Sequence, residues 1–190
     1  MNELLKMTAH QVKEGKFDKV ILAIGSCEAH GQHLAEGCDT IVSYELSKQV
    51  ADRVPGMLVL PPITVGYSAH YDTFPFTLTF DYETMIHVIY DIVESVLRNG
   101  INKIFLMNGH DGNIAPIEIA ARKVKEKYPD ARIASLPEWW VIAGKLVPEG
   151  TFAVWNGLGH AGEGETSIAY HLFPQWCEPD QATCVVPDHL

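Results

Sequence analysis

The chain has 190 residues, enough for one compact domain with a hydrophobic core, and its 47% hydrophobic and 20% charged residues are ordinary for a globular protein. No apolar run approaches the roughly 18 residues of a membrane span, and a net charge of −10, with 24 acids against 14 bases, disfavours partners read through nucleic-acid phosphates. The first residues carry an acid and no apolar stretch with a cleavage site, so a cytoplasmic location is expected, and the four cysteines form no C-x-x-C pair or extracellular disulfide framework.

In chain order, residues 2–16 suit an amphipathic helix. Residues 19–24 are an apolar run ending at Gly25, as a buried parallel strand would. A loop rich in Gly, His and acids fills 25–38, and helical spacing follows over 40–54. Residues 57–60 read as a strand stopped by Pro61 and Pro62, and a loop at 66–76 leads to a possible short strand at 77–80. A long helix is expected over 82–98, closed by Asn99 and Gly100. Residues 103–107 form the clearest central strand. The sequence Asn108-Gly109-His110-Asp111-Gly112-Asn113 follows, with Asn113 placed to cap a helix running to about Lys127. A strand at 132–136, a loop over 147–159 and a helix at 163–173 complete the order. Strand–helix alternation at this spacing predicts a mostly parallel sheet covered on both faces. Ligands in such folds bind at the carboxyl ends of the strands. The loops after Ile24, Leu60, Met107 and Leu136 therefore share one rim.

That rim holds the residues with chemistry. Nine histidines is a high count for this length. Glu28 and His30, two apart on extended backbone, point the same way, and glycines at 31 and 37 let the chain bring Asp39 back toward them. Glu, His and Asp are ordinary ligands for zinc, manganese or iron, although one such cluster is equally a polar loop facing water. His110, directly after a buried-type strand, falls on the same rim. The segment 159–167 adds His160, Glu163 and Glu165 at a helix start, where acids also simply favour the positive end of the helix dipole.

Together the segments GSCEAHGQHLAEGCDT (25–40), VGYSAHYDTFPFTLTF (65–80), NGHDGN (108–113) and GHAGEGETS (159–167) resemble the creatininase (creatinine amidohydrolase) family over roughly residues 18–175. The resemblance implies a three-layer α/β/α sandwich and a single metallohydrolase domain. It implies hydrolysis of a non-peptide C–N bond in a small or cyclic amide, and a homo-oligomer, commonly a hexamer. It also implies two divalent metal ions: Glu28 and His110 on one, His30 on the other, and Asp39 bridging both. His160 matches the family's catalytic histidine, and Glu165 is expected to orient His160 or a water. Creatininase itself carries a further glutamate ligand where this chain has Gly112, leaving Asp111, Glu165, His33 or water to complete the second ion. The family's tryptophan contacts to substrate have only Trp139, Trp140 and Trp155 as nearby candidates, and members usually continue beyond the point matching Leu190. A two-metal site acidifies water and polarises a carbonyl, and a near-neutral histidine suits proton delivery to a leaving nitrogen. Three functions stay open: a creatininase-like hydrolase, a deformylase of a formylamino-pyrimidine nucleotide in flavin or deazaflavin precursor synthesis, and a non-catalytic relative that keeps the fold. The lack of Arg or Lys in these segments counts against the phosphate-bearing deformylase substrate.

Overall fold

Four apolar runs form the strands. In the computed structural model, which describes residues 2–154, 157 and 159–184, they are β1 (Lys19–Ile24), β2 (Met57–Val59), β3 (Lys103–Asn108) and β4 (Arg132–Leu136). All pair in parallel, in the order β2-β1-β3-β4. β1 is central, and residues 20–24 are 1% exposed or less, which is why this strand reads as unbroken apolar sequence. β4, at the edge, is largely exposed and its sequence is correspondingly more polar.

The helices are α1 (Ala9–Glu14), α2 (Cys38–Arg53), α3 (Tyr82–Arg98), α4 (Ile114–Lys127), α5 (Trp139–Leu146) and α6 (Glu163–Leu172). α3 and α4 pack together on one face, where Met85, Ile89, Val93, Ile117 and Val124 bury against Val20, Leu22, Ile24 and Leu106. On the other face α2 packs against α6, with Val42, Trp139, Ala169 and Phe173 in one cluster. The expected three-layer α/β/α sandwich is what forms.

Three local expectations are corrected. The predicted helix over 2–16 is broken into a 3-10 turn at Leu4–Lys6 and the short α1. Glu3 instead joins the sheet by bridging Val59, and Thr8 starts α1 with a reciprocal capping box to Gln11. The strand expected at 77–80 reduces to isolated bridges, Cys27 with Leu78 and Gly66 with Thr79. The third is α5, a helix absent from the sequence reading; its Trp-Trp-Val-Ile start lacks the polar cap by which helix starts are recognised.

β1 lies between β2 and β3, and the chain leaves β1 and β3 toward opposite faces, into α2 and α4. The carboxyl ends of β1 and β3 therefore bound a crevice at the point where the strand order reverses. The backbone N–H of Gly109 donates to the Ile24 carbonyl (2.7 Å), joining the two loops that leave these strands.

Candidate metal centre

Asp39 stands in the first turn of α2, where the helix dipole favours an anion. Its two oxygens face different partners. Oδ1 lies 2.9 Å from Nε2 of His30, and Oδ2 lies 3.1 Å from Nδ1 of His110. Ser26 donates to the same Oδ2 at 2.8 Å. Glu28, with its Oε1 3.1 Å from His110 Nδ1, is fully buried, and neither of its oxygens has a hydrogen-bond partner. A carboxylate buried with only one close, shared imidazole contact is expensive unless a cation answers it.

Each histidine is oriented from behind. His30 Nδ1 donates to the Glu28 carbonyl at 3.1 Å, which leaves Nε2 free to face Asp39. His110 Nε2 donates to the Tyr67 carbonyl at 2.8 Å, which turns Nδ1 inward. A backbone carbonyl on the far nitrogen is the usual device for fixing the tautomer of a metal-binding imidazole. Asn108 at the end of β3 accepts from the His110 backbone N–H and donates to the His110 and Pro137 carbonyls, fixing the loop itself.

Two groups of ligand atoms result, each within 4.8 Å internally: Glu28, Asp39 and His110 in one, His30, Asp39 and Glu165 in the other. Asp39 belongs to both. A third grouping joins Glu28, His30 and His160. Burial penalises charge on His30 and His110, but the carboxylates beside them prevail and push both up to about 10. Asp39, although buried, is held well below the usual carboxylate range by His30 and His110. Glu165 is pushed up to about 7 by loss of hydration and by the Asp39 charge. Buried carboxylates and imidazoles crowded at this spacing are a donor set that fits divalent ions.

The six residues Glu28, His30, Asp39, His110, His160 and Glu165 converge here. Their arrangement differs from expectation at Gly112. A Cβ there would lie 2.1 Å from the Tyr67 carbonyl oxygen and 2.7 Å from His110 Nε2, so this loop has no room for the glutamate of creatininase. Glu165 stands with His30 and Asp39 instead. Its Oε2 accepts from the Ala161 N–H at 2.6 Å. His160 Nε2 donates to the Ala29 carbonyl at 2.5 Å, and Nδ1 faces Glu28 Oε1 at 3.9 Å. Burial and the neighbouring His30 pull the His160 imidazole down, toward its neutral form. His33 is placed behind the site, with Nε2 2.8 Å from the Thr166 hydroxyl.

Asn113 occupies the N-cap position of α4, as expected, but its side chain makes no capping hydrogen bond there. Its side chain spans the crevice, donating to the Gly25 carbonyl and accepting from the Tyr67 N–H. Trp139 is a core residue beside Phe173 and Val42, Trp140 meets it edge-on, and Trp155 lies outside the described residues. The sequence reading missed His70 and Tyr71, whose rings stack on His110 and His160. The run Ser68-Ala69-His70-Tyr71 was the available signal, two large aromatic rings in a loop on the same rim.

The family model described as creatinine amidohydrolase matches residues 5–190. The chain belongs to the creatininase family. Creatinine amidohydrolase of Pseudomonas putida is 30% identical over 185 residues, covering 90% of this chain and 68% of that protein. A mycofactocin precursor peptide peptidase of Mycobacterium ulcerans (strain Agy99) is 26% identical, covering 92% of this chain and 66% of its own length. The chain thus spans about two thirds of these curated relatives. A solved structure described as "Creatininase Mn" superposes with a TM-score of 0.82 at 27% identity, over 99% of this chain and 79% of that one. A creatinine amidohydrolase (creatininase) crystal structure gives 0.85 at 26%, over 99% and 78%. As a creatininase-family amidohydrolase the chain is a hydrolase of carbon–nitrogen bonds.

Proposed function

We propose that this chain holds two divalent metal ions (zinc, manganese or iron) and hydrolyses the C–N bond of a small or cyclic amide other than a peptide. The observation that carries the reading is Asp39, whose two oxygens face His30 and His110 separately, with the fully buried Glu28 carboxylate sharing His110 Nδ1 beside it. Glu28, Asp39 and His110 would hold one ion, and His30, Asp39 and Glu165 the other. Of the two roles the sequence leaves for Glu165, completing the second ion or orienting His160 or a water, this reading takes the first. Two ions held there would acidify a water and polarise the amide carbonyl.

The chain's own residues do the rest. Ser26 and the first turn of α2 hold Asp39 in place between the two histidines. His160, hydrogen-bonded through Nε2 to Ala29, presents Nδ1 to the centre and takes up a proton at that atom. It then delivers the proton to the leaving nitrogen, which otherwise departs as a strongly basic anion. No Lys or Arg stands among the site residues described above, so a phosphate-bearing substrate finds no partner, and the nucleotide deformylase reading is the weaker one. The solved creatininase variant complexed with creatine and the P. putida relative support a small-molecule substrate. A homo-oligomer, up to a hexamer as is common in the family, is part of the same proposal and is checked by light scattering.

The test is elemental analysis of metal-reconstituted protein with a turnover screen of small cyclic and linear amides, creatinine included. Two equivalents of metal and metal-dependent turnover of an amide are expected. Full occupancy at one equivalent refutes the two-ion centre; two equivalents with no amide turned over refutes the hydrolytic assignment.

A further inference from the structure

The 3-10 turn Ala69–Tyr71 places successive aromatic rings on two different histidines of the site. His70 stacks on His110 with ring centroids 5.6 Å apart and planes 1° from parallel. Tyr71 stacks on His160 at 4.3 Å and 22°, while His30 meets His160 at 4.2 Å and 43°. The His160 imidazole is thus in contact with Tyr71 and with His30.

His160 needs such support. It sits on a loop of unusual backbone, with Gly159 at φ 123° and Ala161 at φ 51°, and its side chain is 30% exposed. Its hydrogen bond to Ala29 fixes Nε2 but leaves the ring free to tilt about that bond. Whether Nδ1 faces the centre depends on the plane of the ring, and only contacts against its faces set a plane. The turn that carries Tyr71 is itself anchored: Tyr71 N–H donates to the Ser68 carbonyl, Phe74 N–H to the Tyr71 carbonyl, and Ser68 N–H to the Thr79 hydroxyl, each at 2.9 Å. Tyr71 is half-buried and belongs to none of the apolar clusters on either side of the sheet, so its ring is not core filling.

We propose that Tyr71 is a positioning residue, whose ring holds the His160 imidazole against His30 with Nδ1 turned to the metal centre. The proposal uses the functional reading only to give His160 a task; the ring contact is a property of the fold. The hydroxyl is not required, so phenylalanine replaces tyrosine and a non-aromatic side chain does not. An offset-stacked pair of rings favours one mutual geometry in a way that an aliphatic side chain of similar bulk does not.

The test uses the full chain, labelled with ¹⁵N-histidine and loaded with zinc. Long-range ¹H–¹⁵N spectra report which ring nitrogen of each imidazole carries the proton, and the His160 signals are those lost in His160→Gln. The wild type is expected to show His160 protonated at Nε2 and bare at Nδ1, with well-separated nitrogen shifts. Tyr71→Phe keeps that pattern. In Tyr71→Ala and Tyr71→Leu the two shifts converge as the ring samples both tautomers, while zinc content stays at the wild-type value. An unchanged His160 pattern in Tyr71→Leu overturns the proposal, and so does convergence in Tyr71→Phe. Loss of zinc from both the Ala and Leu variants also overturns it, since Tyr71 then supports the ligands themselves. Failure of the two-ion reading is visible separately as a wild-type zinc content below two equivalents, and the same comparison of His160 then runs on the metal-free chain.

Discussion

At the scale of single residues, the proposed assignment separates three acids and bases by what their removal takes away. Asp39→Ala removes the carboxylate whose two oxygens meet His30 and His110, and is expected to abolish binding of both ions. Glu165→Gln is expected to lose one equivalent and keep the other, because Glu28, Asp39 and His110 remain. His160→Ala is expected to keep both ions and to lose about 10²–10⁴-fold in kcat, the usual cost of removing a general acid. Metal analysis and kinetics on the three variants check all of this, and loss of an ion from His160→Ala would make it a ligand. Glu28, His30, Asp39 and His110 were legible because their spacing carries the family pattern and because two strand ends had to meet. Glu165 was legible only as one of several candidates to complete the second ion. Its approach to His30 depends on how α6 docks on α2, which no local pattern encodes. The task of Asn113 was hidden for a related reason: a residue well placed as a cap is equally suited to span a crevice, and the partners that decide, Gly25 and Tyr67, are 88 and 46 residues away.

At the scale of elements, the 108–113 loop is shaped by exclusion. Gly112→Glu, which restores the side chain of creatininase, meets the Tyr67 carbonyl that orients His110. It is expected to weaken metal binding at the His110 position by about 10–100-fold, as loss of a partner behind a metal-binding histidine does, and metal titration of the variant measures this. The join between α3 and α4 makes a separate prediction. Glu94 on α3 receives Lys127 at 2.7 Å and the hydroxyls of Tyr128 and Tyr90 at 3.0 and 3.2 Å on one oxygen, and Arg98 at 2.8 Å on the other. Hydrogen bonds from Lys127 and then Tyr128 hold its pKa down, to about 2. A carboxylate whose folded pKa lies below its unfolded value of about 4.3 stabilises the protein above that value and ceases to as pH falls toward 2. Thermal melts of wild type and Glu94→Gln should differ by a constant amount above about pH 5 and converge by about pH 2. The long amphipathic α3 was plain from its sequence. The 2–16 segment misled because its apolar residues at 4, 5 and 7 follow helical spacing, while the pairing of Glu3 with Val59 that breaks it lies outside the segment.

At the scale of the molecule, the order β2-β1-β3-β4 puts a crevice where the loops after β1 and β3 part, and all the proposed ligands border it. Parallel alternation made the layers readable; the strand order was not, since it depends on pairings such as Val20 with Ile104 that local sequence does not specify. Ions held as proposed, by groups from the β1 loop, α2, the β3 loop and α6, would bind the folded chain in preference to the unfolded one and stabilise it by mass action. At a hundredfold excess over Kd this amounts to about 2.7 kcal/mol per ion, or about 5–11 °C in Tm for a chain of this size. Chelation should lower Tm by that order, and zinc or manganese should restore it. An unchanged Tm on removal of bound metal would show that the ligand loops are held without it.

The ligands are also spread unevenly in time. A ribosome delivers Glu28, His30 and Asp39 early, His110 after β3, and Glu165 some 55 residues later. The group containing Glu28, Asp39 and His110 draws on β1, α2 and β3 alone, whereas the other waits for α6. On the proposed two-ion reading, a chain emerging from the ribosome would complete the first group before the second. Under that reading the order of the residues in the chain would give metal acquisition a direction, with the His110 side of the centre the first to be filled.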